Sequence, residues 1–358
     1  MENNEGRADL RSLQYEELKE VLTGMGHKGY RADQIFDWIH RKKVSDPGEM
    51  KNIPSSLKEE LFKRYEIFPV KKELVRVSRL DETRKYLFRL WDGNLIESVF
   101  MKYAHGNSVC VSTQAGCRMG CRFCASAIDG LIRDLTAGEM LGQVYGIEKD
   151  TGERVSNVVM MGTGEPLDNY ENSVSFIRLL NDERGANISQ RSITLSTCGL
   201  AERIIRLRDE DLAITLAVSL HAPNDRKRSL IMPVAKRYTV NEVIAACRDY
   251  YDGTNRRLTF EYSLIEGLND SEEDARELSE LLAGLNAHVN LICINPVREK
   301  SFREPTVQAV RAFQNKLEKN HINVTIRREL GRDIEGACGQ LRRSRIRETG
   351  DSLRSGKE

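Results

Sequence analysis

Three cysteines, Cys117, Cys121 and Cys124, lie in the short run GCRMGCRFC at residues 116–124. In a reducing compartment, clustered cysteines are more often metal ligands or catalytic thiols than members of a disulfide framework. A [4Fe–4S] cluster takes one outside ligand per iron, so three cysteines would bind three irons and leave the fourth open for chemistry. Two alternatives remain: a structural zinc site with a distant fourth ligand, and a chance cluster of buried thiols.

The cysteine run follows the first of six apolar segments that alternate with helical patterns. The strand segments are SVCVST, SNVVMMG, SITLST, AITLAVSLH, LTFEYSLI and HVNLICIN, and helix patterns between them include NSVSFIRLLNDE, VNEVIAACRDYY and SEEDARELSELLAGL. Repeated β-then-α units predict a parallel sheet or a barrel, here about three-quarters of a TIM barrel. In such folds the functional side chains lie at the carboxyl ends of the strands.

Polar residues follow several of these strands. Gly164 and Glu165 come after SNVVMM, where a glycine lets the backbone approach a ligand and a carboxylate can accept hydrogen bonds from an ammonium group. A tight turn before a helix explains the same residues equally well. Further strand-end candidates are Ser196, Ser219, Leu220, His221 and Asn295.

The chain divides into four parts by pattern. Residues 1–66 contain three amphipathic helical stretches and predict a small helical domain. Residues 67–104 alternate apolar and polar positions around an Asp-Gly pair, which predicts a β-hairpin extension. Residues 105–341 hold the β/α series, and residues 342–358 predict a basic, flexible tail.

The composition excludes several classes of protein. With 40% hydrophobic and 30% charged residues, the 358-residue chain resembles an ordinary soluble protein, and no window has the roughly 18 to 20 apolar residues of a membrane span. The polar N-terminus MENNEGRADLRS is not a signal peptide, so we expect a cytoplasmic protein without a membrane partner. The net charge of +1 requires any nucleic-acid surface to be a local patch.

The spacing Cys-x3-Cys-x2-Cys, with Phe123 before the last cysteine, resembles the radical S-adenosylmethionine (SAM) superfamily. Four longer motifs, CVSTQAGCRMGCRFCASAIDGLIRDLTAGEM, GTGEPLDNY, SLHAPNDRKRSLIMPV and DIEGACGQL, resemble its family of adenine-C2 RNA methyltransferases, over nearly the whole chain. The resemblance implies an α/β fold: a partial TIM barrel of (β/α)6 type with the helical domain and hairpin extension added. It also implies two cofactors, a [4Fe–4S] cluster on the three cysteines and SAM at the open iron. The SAM contacts it implies are Gly164, Glu165, Ser196, Ser219, Leu220, His221 and Asn295.

The same resemblance implies roles for three more residues. Adenine C2 is not a nucleophile, so ordinary methyl transfer from SAM fails there and a radical route is needed. Cys338, in GACGQL, matches a cysteine that is methylated by one SAM; a radical from a second SAM activates that methyl, which then adds to C2. Cys110 matches the thiol that releases this adduct by attacking Cys338, which leaves a transient disulfide to be reduced. Glu97 matches a proton acceptor, although its spacing alone indicates only a strand residue.

The implied partners are 23S ribosomal RNA, either protein-free or in an assembling large subunit, and transfer RNA, with an electron donor such as flavodoxin or ferredoxin. The stretch HKGYRADQIFDWIHRKK interleaves basic and aromatic side chains, which suits RNA, although a helix with core aromatics and solvated charges fits equally well. Its basic and aromatic members are Lys28, Tyr30, Arg31, Phe36, Trp38, Arg41, Lys42 and Lys43.

Two rival functions stay open. One is a related methyltransferase that acts on adenine C8, which is disfavoured by Pro166 directly after Glu165. The other is a non-catalytic zinc-ribbon RNA-binding protein.

Overall fold

The computed structural model describes residues 3, 6–294, 302–328, 330–334 and 341. The predictions for Asn295, Cys338 and the tail 342–358 therefore lie outside the described residues.

The N-terminal part is a small helical unit, as its periodicity predicts. A two-residue parallel ladder, in which Ala8 pairs with Tyr65, brings its two ends together. Its elements are β1 (Ala8–Asp9), α1 (Tyr15–Gly24), α2 (Tyr30–Phe36), α3 (Ser55–Leu61) and β2 (Tyr65–Glu66). Leu18, Leu22 and Ile35 are buried among them and form part of the same continuous core as the rest of the chain.

The remaining strands, with two exceptions, form one sheet. In chain order they are β3 (Lys71–Val77), β4 (Arg84–Arg89), β5 (Leu95–Tyr103), β6 (Gly106–Cys110), β7 (Gln114–Gly116), β8 (Leu131–Asp134), β9 (Asn157–Met160), β10 (Ile193–Thr197), β11 (Thr215–Ser219), β12 (Leu258–Leu264), β13 (Ala287–Cys293) and β14 (Asn323–Ile326). The ten-stranded sheet has the order β3-β4-β5-β6-β9-β10-β11-β12-β13-β14, and β7 pairs with β8 in a separate ribbon. From β6 to β14 all neighbours are parallel, whereas β3 to β6 are antiparallel, so the predicted hairpin extends the main sheet.

Helices connect the parallel strands. They are α4 (Ala137–Thr151), α5 (Tyr170–Asn181), α6 (Ala201–Arg208), α7 (Asp225–Ile231), α8 (Val240–Thr254), α9 (Glu272–Leu282) and α10 (Val307–Lys319). Thr136, Thr239 and Ser271 cap α4, α8 and α9, each in a reciprocal capping box with an acidic residue in the first turn. Apolar faces of sheet and helices bury one continuous core.

Buried polar contacts attach the N-terminal unit to the sheet domain. Asp9 accepts hydrogen bonds from the backbone N–H of Phe68 (3.3 Å) and from the hydroxyl of Thr136 (2.6 Å), and Arg11 donates to the carbonyl of Gly138 (3.3 Å). A Cβ at Gly138 would overlap the Asp9 carboxylate, so glycine is required at this contact. These contacts fix the helical unit against the start of α4.

In the part of the chain that the structure describes, no helix is long and apolar enough to cross a membrane.

Candidate active site

The three clustered cysteines lie on a loop that is closed by the β7–β8 ribbon. The ribbon pairs Gln114 with Asp134, and the N–H of Cys117 donates to the carbonyl of Gly130 at 2.8 Å. Gly116 has a φ of +82° and its Cα faces the Gly130 carbonyl so closely that a Cβ would overlap it. The ribbon, which the sequence patterns did not predict, thus fixes both sides of the cysteine loop.

The three thiols act on one another electrostatically. Burial, together with the charges of Glu165 and Cys124, raises the pKa of Cys117 to about 12. Burial and the same neighbouring thiols also raise the pKa of Cys121. The thiols are therefore close enough to repel one another as thiolates, and bound iron would relieve that repulsion. Within the described ranges no three acidic, histidine or cysteine side chains converge on a single ion, but a cluster takes each thiolate on a separate iron.

Glu165 lies next to these thiols at the ends of β9 and β10. Its carboxylate accepts hydrogen bonds from the N–H groups of Leu167 (3.0 Å) and Cys198 (2.7 Å), and its own N–H donates to the side-chain oxygen of Gln114 (2.9 Å). Burial raises the pKa of Glu165, and the donors that oppose this rise are neutral. A buried carboxylate held by neutral donors is a suitable acceptor for a ligand ammonium group.

His221 contacts the cysteine loop from the end of β11. Its ring packs edge-on against Phe123, with ring centroids 4.9 Å apart, and its Nδ1 accepts a hydrogen bond from the N–H of Ser263 (3.0 Å). Burial lowers the pKa of His221 to about 3, so the imidazole is neutral. Asn269 holds the turn by donating to the carbonyls of His221 and Ser263, both at 2.7 Å.

Strand register places four predicted residues on one face of the sheet. Cys110 shares a row with Val99, and Glu97 lies two residues from Val99 on the same strand. The β9 residue that pairs with Cys110 also pairs with the β10 residue two positions before Ser196. Ser196 in turn pairs with the β11 residue two positions before Ser219. Because side chains alternate faces along a strand, Glu97, Cys110, Ser196 and Ser219 point to the same side.

Glu97 forms a buried ion pair that the sequence did not suggest. The Lys85 ammonium lies 3.1 Å from the Glu97 carboxylate, and both side chains are almost fully buried. Lys85 pairs with Val99 across the strands, so the register puts it on the same face as Glu97. The hydroxyl of Ser112 donates to the Glu97 carbonyl at 2.7 Å and links this strand to the end of β6.

The chain on either side of Cys338 contacts the β3–β5 region, although Cys338 itself is outside the described residues. Asp333 accepts hydrogen bonds from the Ser78 hydroxyl (2.7 Å) and the Arg79 N–H (2.9 Å). Leu341 is buried with Leu87 and Leu95. Leu87 pairs with Glu97 in the sheet, so Leu341 packs on the face that carries Glu97.

The basic and aromatic residues of the N-terminal unit divide between core and surface. Phe36 is buried, whereas Tyr30 is 49% exposed with the Arg31 guanidinium 4.9 Å from its ring centroid. The Lys42 ammonium lies 3.7 Å from the centroid of the Trp38 ring. Phe36 therefore belongs to the core, whereas Tyr30 and Trp38 each form a cation–aromatic pair. The RNA contact of this stretch stays a prediction.

Comparison with known proteins defines the class of this chain. Residues 111–279 match the model of the radical SAM superfamily, and residues 8–67 match that of the ribosomal RNA large subunit methyltransferase N-terminal domain. The chain has a TM-score of 0.88 and 45% identity to the crystal structure of a radical SAM methyltransferase from Sphaerobacter thermophilus, covering 93% of this chain and 98% of that one. Fold and cysteine loop are thus those of a radical SAM enzyme.

Curated relatives narrow the class further. A probable dual-specificity RNA methyltransferase RlmN from Lachnospira eligens is 54% identical over 96% of this chain and 98% of its own length. Its counterpart from Lachnoclostridium phytofermentans is 54% identical over 94% of this chain and 95% of its own length. The chain belongs to the RlmN family of radical SAM RNA methyltransferases.

Family membership confirms the predicted fold class, the enzyme class and the two cofactors, a [4Fe–4S] cluster and SAM. The zinc-ribbon alternative is wrong, because the cysteine loop lies inside the segment that matches the radical SAM model.

Proposed function

We propose that this enzyme methylates C2 of a specific adenine in 23S ribosomal RNA, of the adenine 2503 type, and of adenine 37 in transfer RNAs. The proposal includes Cys338 as methyl carrier, Cys110 as the thiol that releases the product and Glu97 as proton acceptor, with two SAM consumed per turnover. A cytoplasmic location and a low-potential donor such as flavodoxin or ferredoxin belong to the same proposal.

One observation carries the proposal: the described residues on either side of Cys338, Asp333 and Leu341, both contact the β3–β5 part of the sheet, in which β5 carries Glu97. Leu341 packs beside Leu87 and Leu95 on the Glu97 face, and three residues of chain reach at most about 11 Å. On the other side, Asp333 is hydrogen-bonded to the β3–β4 turn. These contacts support the proposal that Cys338 acts together with Glu97 and Cys110.

The cofactor residues are proposed from the same geometry. Cys117, Cys121 and Cys124 would hold the cluster, which when bound supplies the electron that cleaves SAM into a 5′-deoxyadenosyl radical. The buried carboxylate of Glu165 would accept hydrogen bonds from the SAM amino group. Further proposed contacts are Gly164, Ser196, Ser219, Leu220, His221 and Asn295.

We assign the remaining chemistry to Cys338 and to two residues on the shared sheet face, Glu97 and Cys110. Cys338, methylated by a first SAM, would lose a hydrogen atom from that methyl group to the 5′-deoxyadenosyl radical, and the resulting methylene carbon would add to adenine C2 and link Cys338 to the RNA. The adduct radical would give back the one electron used to cleave SAM, and Glu97, held by Lys85, would accept the C2 proton. The Cys110 thiolate would then attack the Cys338 sulfur, forming a disulfide and expelling the base with an enamine-like carbon that takes up a proton to become the methyl group, so that each turnover needs a two-electron reductant for the disulfide.

Analysis of the RNA product tests this function. The cluster-loaded protein is incubated anaerobically with SAM, a reductant and protein-free 23S RNA or transfer RNA, and the nucleosides are separated by mass spectrometry. We expect 2-methyladenosine from the parent and none from Cys338→Ala. Cys247→Ala is the matched control, because Cys247 is also a buried cysteine but lies in α8, outside the strands and the loop that carry the other proposed groups.

Each outcome separates the alternatives. If the product is 8-methyladenosine, the enzyme is the C8 methyltransferase and the C2 assignment is wrong. If Cys338→Ala still yields 2-methyladenosine, the carrier assignment is wrong. Methylation of 23S RNA without methylation of transfer RNA would remove the second substrate from the proposal.

A further inference from the structure

Arg228 in α7 is a buried cation that donates its hydrogen bonds to neutral backbone carbonyls. It is 0% exposed, which is rare for arginine in proteins. Its guanidinium donates to the carbonyls of Cys198 (2.6 Å), Leu220 (3.2 Å) and Tyr238 (3.3 Å). A fourth, longer contact of 3.5 Å goes to the Ser219 carbonyl. Carbonyl oxygens satisfy its hydrogen bonds but leave its positive charge to be balanced by something else.

A buried charge is expensive unless anionic groups lie near it. The groups that act on Arg228 electrostatically are the thiols of Cys198 and Cys121, followed by the Asp225 carboxylate and the Cys247 thiol. Cys121 belongs to the cysteine loop, and in the opposite direction the charge of Arg228 lowers the pKa of Cys121 against the effect of burial. An anionic centre on the loop would therefore interact favourably with Arg228.

A backbone hydrogen bond links α7, which carries Arg228, to the cysteine loop. The N–H of Arg122, inside the cysteine run, donates to the carbonyl of Ile231, the last residue of α7, at 2.8 Å. Gly199 has a φ of +94°, and a Cβ there would lie 3.1 Å from the Arg228 guanidinium. The glycine thus leaves room for the guanidinium between the ends of β10 and β11.

We propose that Arg228 is a positioning residue that supplies the buried positive charge favouring the reduced state of the [4Fe–4S] cluster. Reduction brings one electron from an external low-potential donor to a centre that already carries three thiolates. Net charge is one of the properties that set the potential of such clusters. A fixed cation in a dry site stabilises the form with the extra electron. This inference rests on the cofactors of the family and is independent of which RNA is methylated.

A redox titration of the full-length, cluster-loaded protein in the absence of SAM and RNA tests the inference. The ratio of reduced to oxidised cluster is followed by electron paramagnetic resonance at fixed solution potentials. Arg228→Gln retains hydrogen-bonding capacity without charge, and we expect its ratio to fall at least about tenfold, which corresponds to about 59 mV for a one-electron couple. Arg228→Lys keeps the charge with fewer donors, and its ratio should stay close to that of the parent.

Arg11→Gln serves as a matched control, because Arg11 is also buried but contacts Phe68 and Gly138 at the junction with the N-terminal unit. Its ratio should not change. An unchanged ratio in Arg228→Gln, or equal falls in Arg228→Gln and Arg228→Lys, would overturn the inference. If Arg228→Gln fails to load iron while Arg228→Lys loads it with the parent potential, the charge requirement is supported. If both fail to load, Arg228 has only a structural role and the inference is wrong.

Discussion

Replacing Gly164 with alanine tests whether the loop before Glu165 is shaped to hold SAM. Gly164 has a φ of +115°, which L residues rarely adopt. An added Cβ would lie 2.6 Å from the Thr113 hydroxyl and 2.7 Å from the backbone nitrogen of Gln114. The neighbouring Thr163 carbonyl already accepts a hydrogen bond from the Thr113 N–H at 2.8 Å. Because one obstacle is backbone, a rotamer change cannot remove the clash and the loop must move.

The size of the effect follows from what moves with the loop. Overpacking costs about 1–3 kcal/mol and the unfavourable φ another ~1–3 kcal/mol. A shift of the loop away from Gln114 would displace Glu165, whose N–H donates to the Gln114 side-chain oxygen. Losing one hydrogen bond between the Glu165 carboxylate and the SAM ammonium would cost about 1.5–3 kcal/mol, which is roughly a ten- to hundredfold loss of affinity.

The assay is equilibrium binding of SAM to cluster-loaded protein, compared at equal iron content. Gly152→Ala is the matched control: Gly152 also has a positive φ of +69°, but no atom lies within 4 Å of its added Cβ. The control should lose about 1–2 kcal/mol of stability from backbone strain and bind SAM like the parent. If Gly164→Ala binds SAM with the parent affinity, the assignment of this loop to SAM is refuted.

Three further predictions concern stability and metal content. Lys85→Met leaves the Glu97 carboxylate buried without its ammonium partner and should lower the free energy of unfolding by about 3–5 kcal/mol. The double variant Lys85→Met/Glu97→Gln should recover much of that loss, because no uncompensated charge stays buried. Additive losses from the two substitutions in chemical denaturation would contradict this coupling. Burial lowers the pKa of His40 to about 3, so below the ordinary histidine pKa of about 6.5 protons bind the unfolded state preferentially. The contribution of neutral His40 to stability should be fully present above about pH 6.5, and the free energy of unfolding should fall by up to about 1.4 kcal/mol per pH unit toward pH 3. A His40→Gln variant with the same slope in pH-dependent denaturation would speak against this cause. Cys121→Ser should lose the visible iron–sulfur absorption and most iron after anaerobic reconstitution while Cys247→Ala keeps both, and full iron in Cys121→Ser would exclude Cys121 as a ligand.

Periodicity and spacing predicted the elements whose signal is local. The six apolar segments do form strands of the parallel sheet. They could be predicted because alternating β and α patterns are compatible with few other topologies. The four-residue β14 was missed because its side chains are largely exposed, and the β7–β8 ribbon was missed because it has no apolar run. Both depend on contacts with distant parts of the chain.

The site residues divide in the same way. Cysteine spacing predicted the cluster loop, and family resemblance predicted the roles of Cys338 and Cys110, which stay predictions. Lys85 and Arg228 went unnoticed because a charged residue in an alternating or helical pattern is normally solvent-exposed. Only the folded structure shows that Lys85 forms an ion pair with Glu97 on the neighbouring strand. It also shows that Arg228 donates hydrogen bonds to carbonyls at the ends of β10 and β11.

The central claim is that Cys338 carries the methyl carbon that reaches adenine C2. The most direct measurement uses SAM with an isotopically labelled methyl group, incubated first with the protein alone and then, after removal of free SAM, with RNA, unlabelled SAM and reductant. Mass spectrometry should find one labelled methyl on the Cys338 peptide and none on the Cys247 peptide, and the label should then appear in the first turnover of 2-methyladenosine. An unmodified Cys338 peptide in a protein that nevertheless methylates RNA, or a first turnover carrying only unlabelled carbon, would contradict the account.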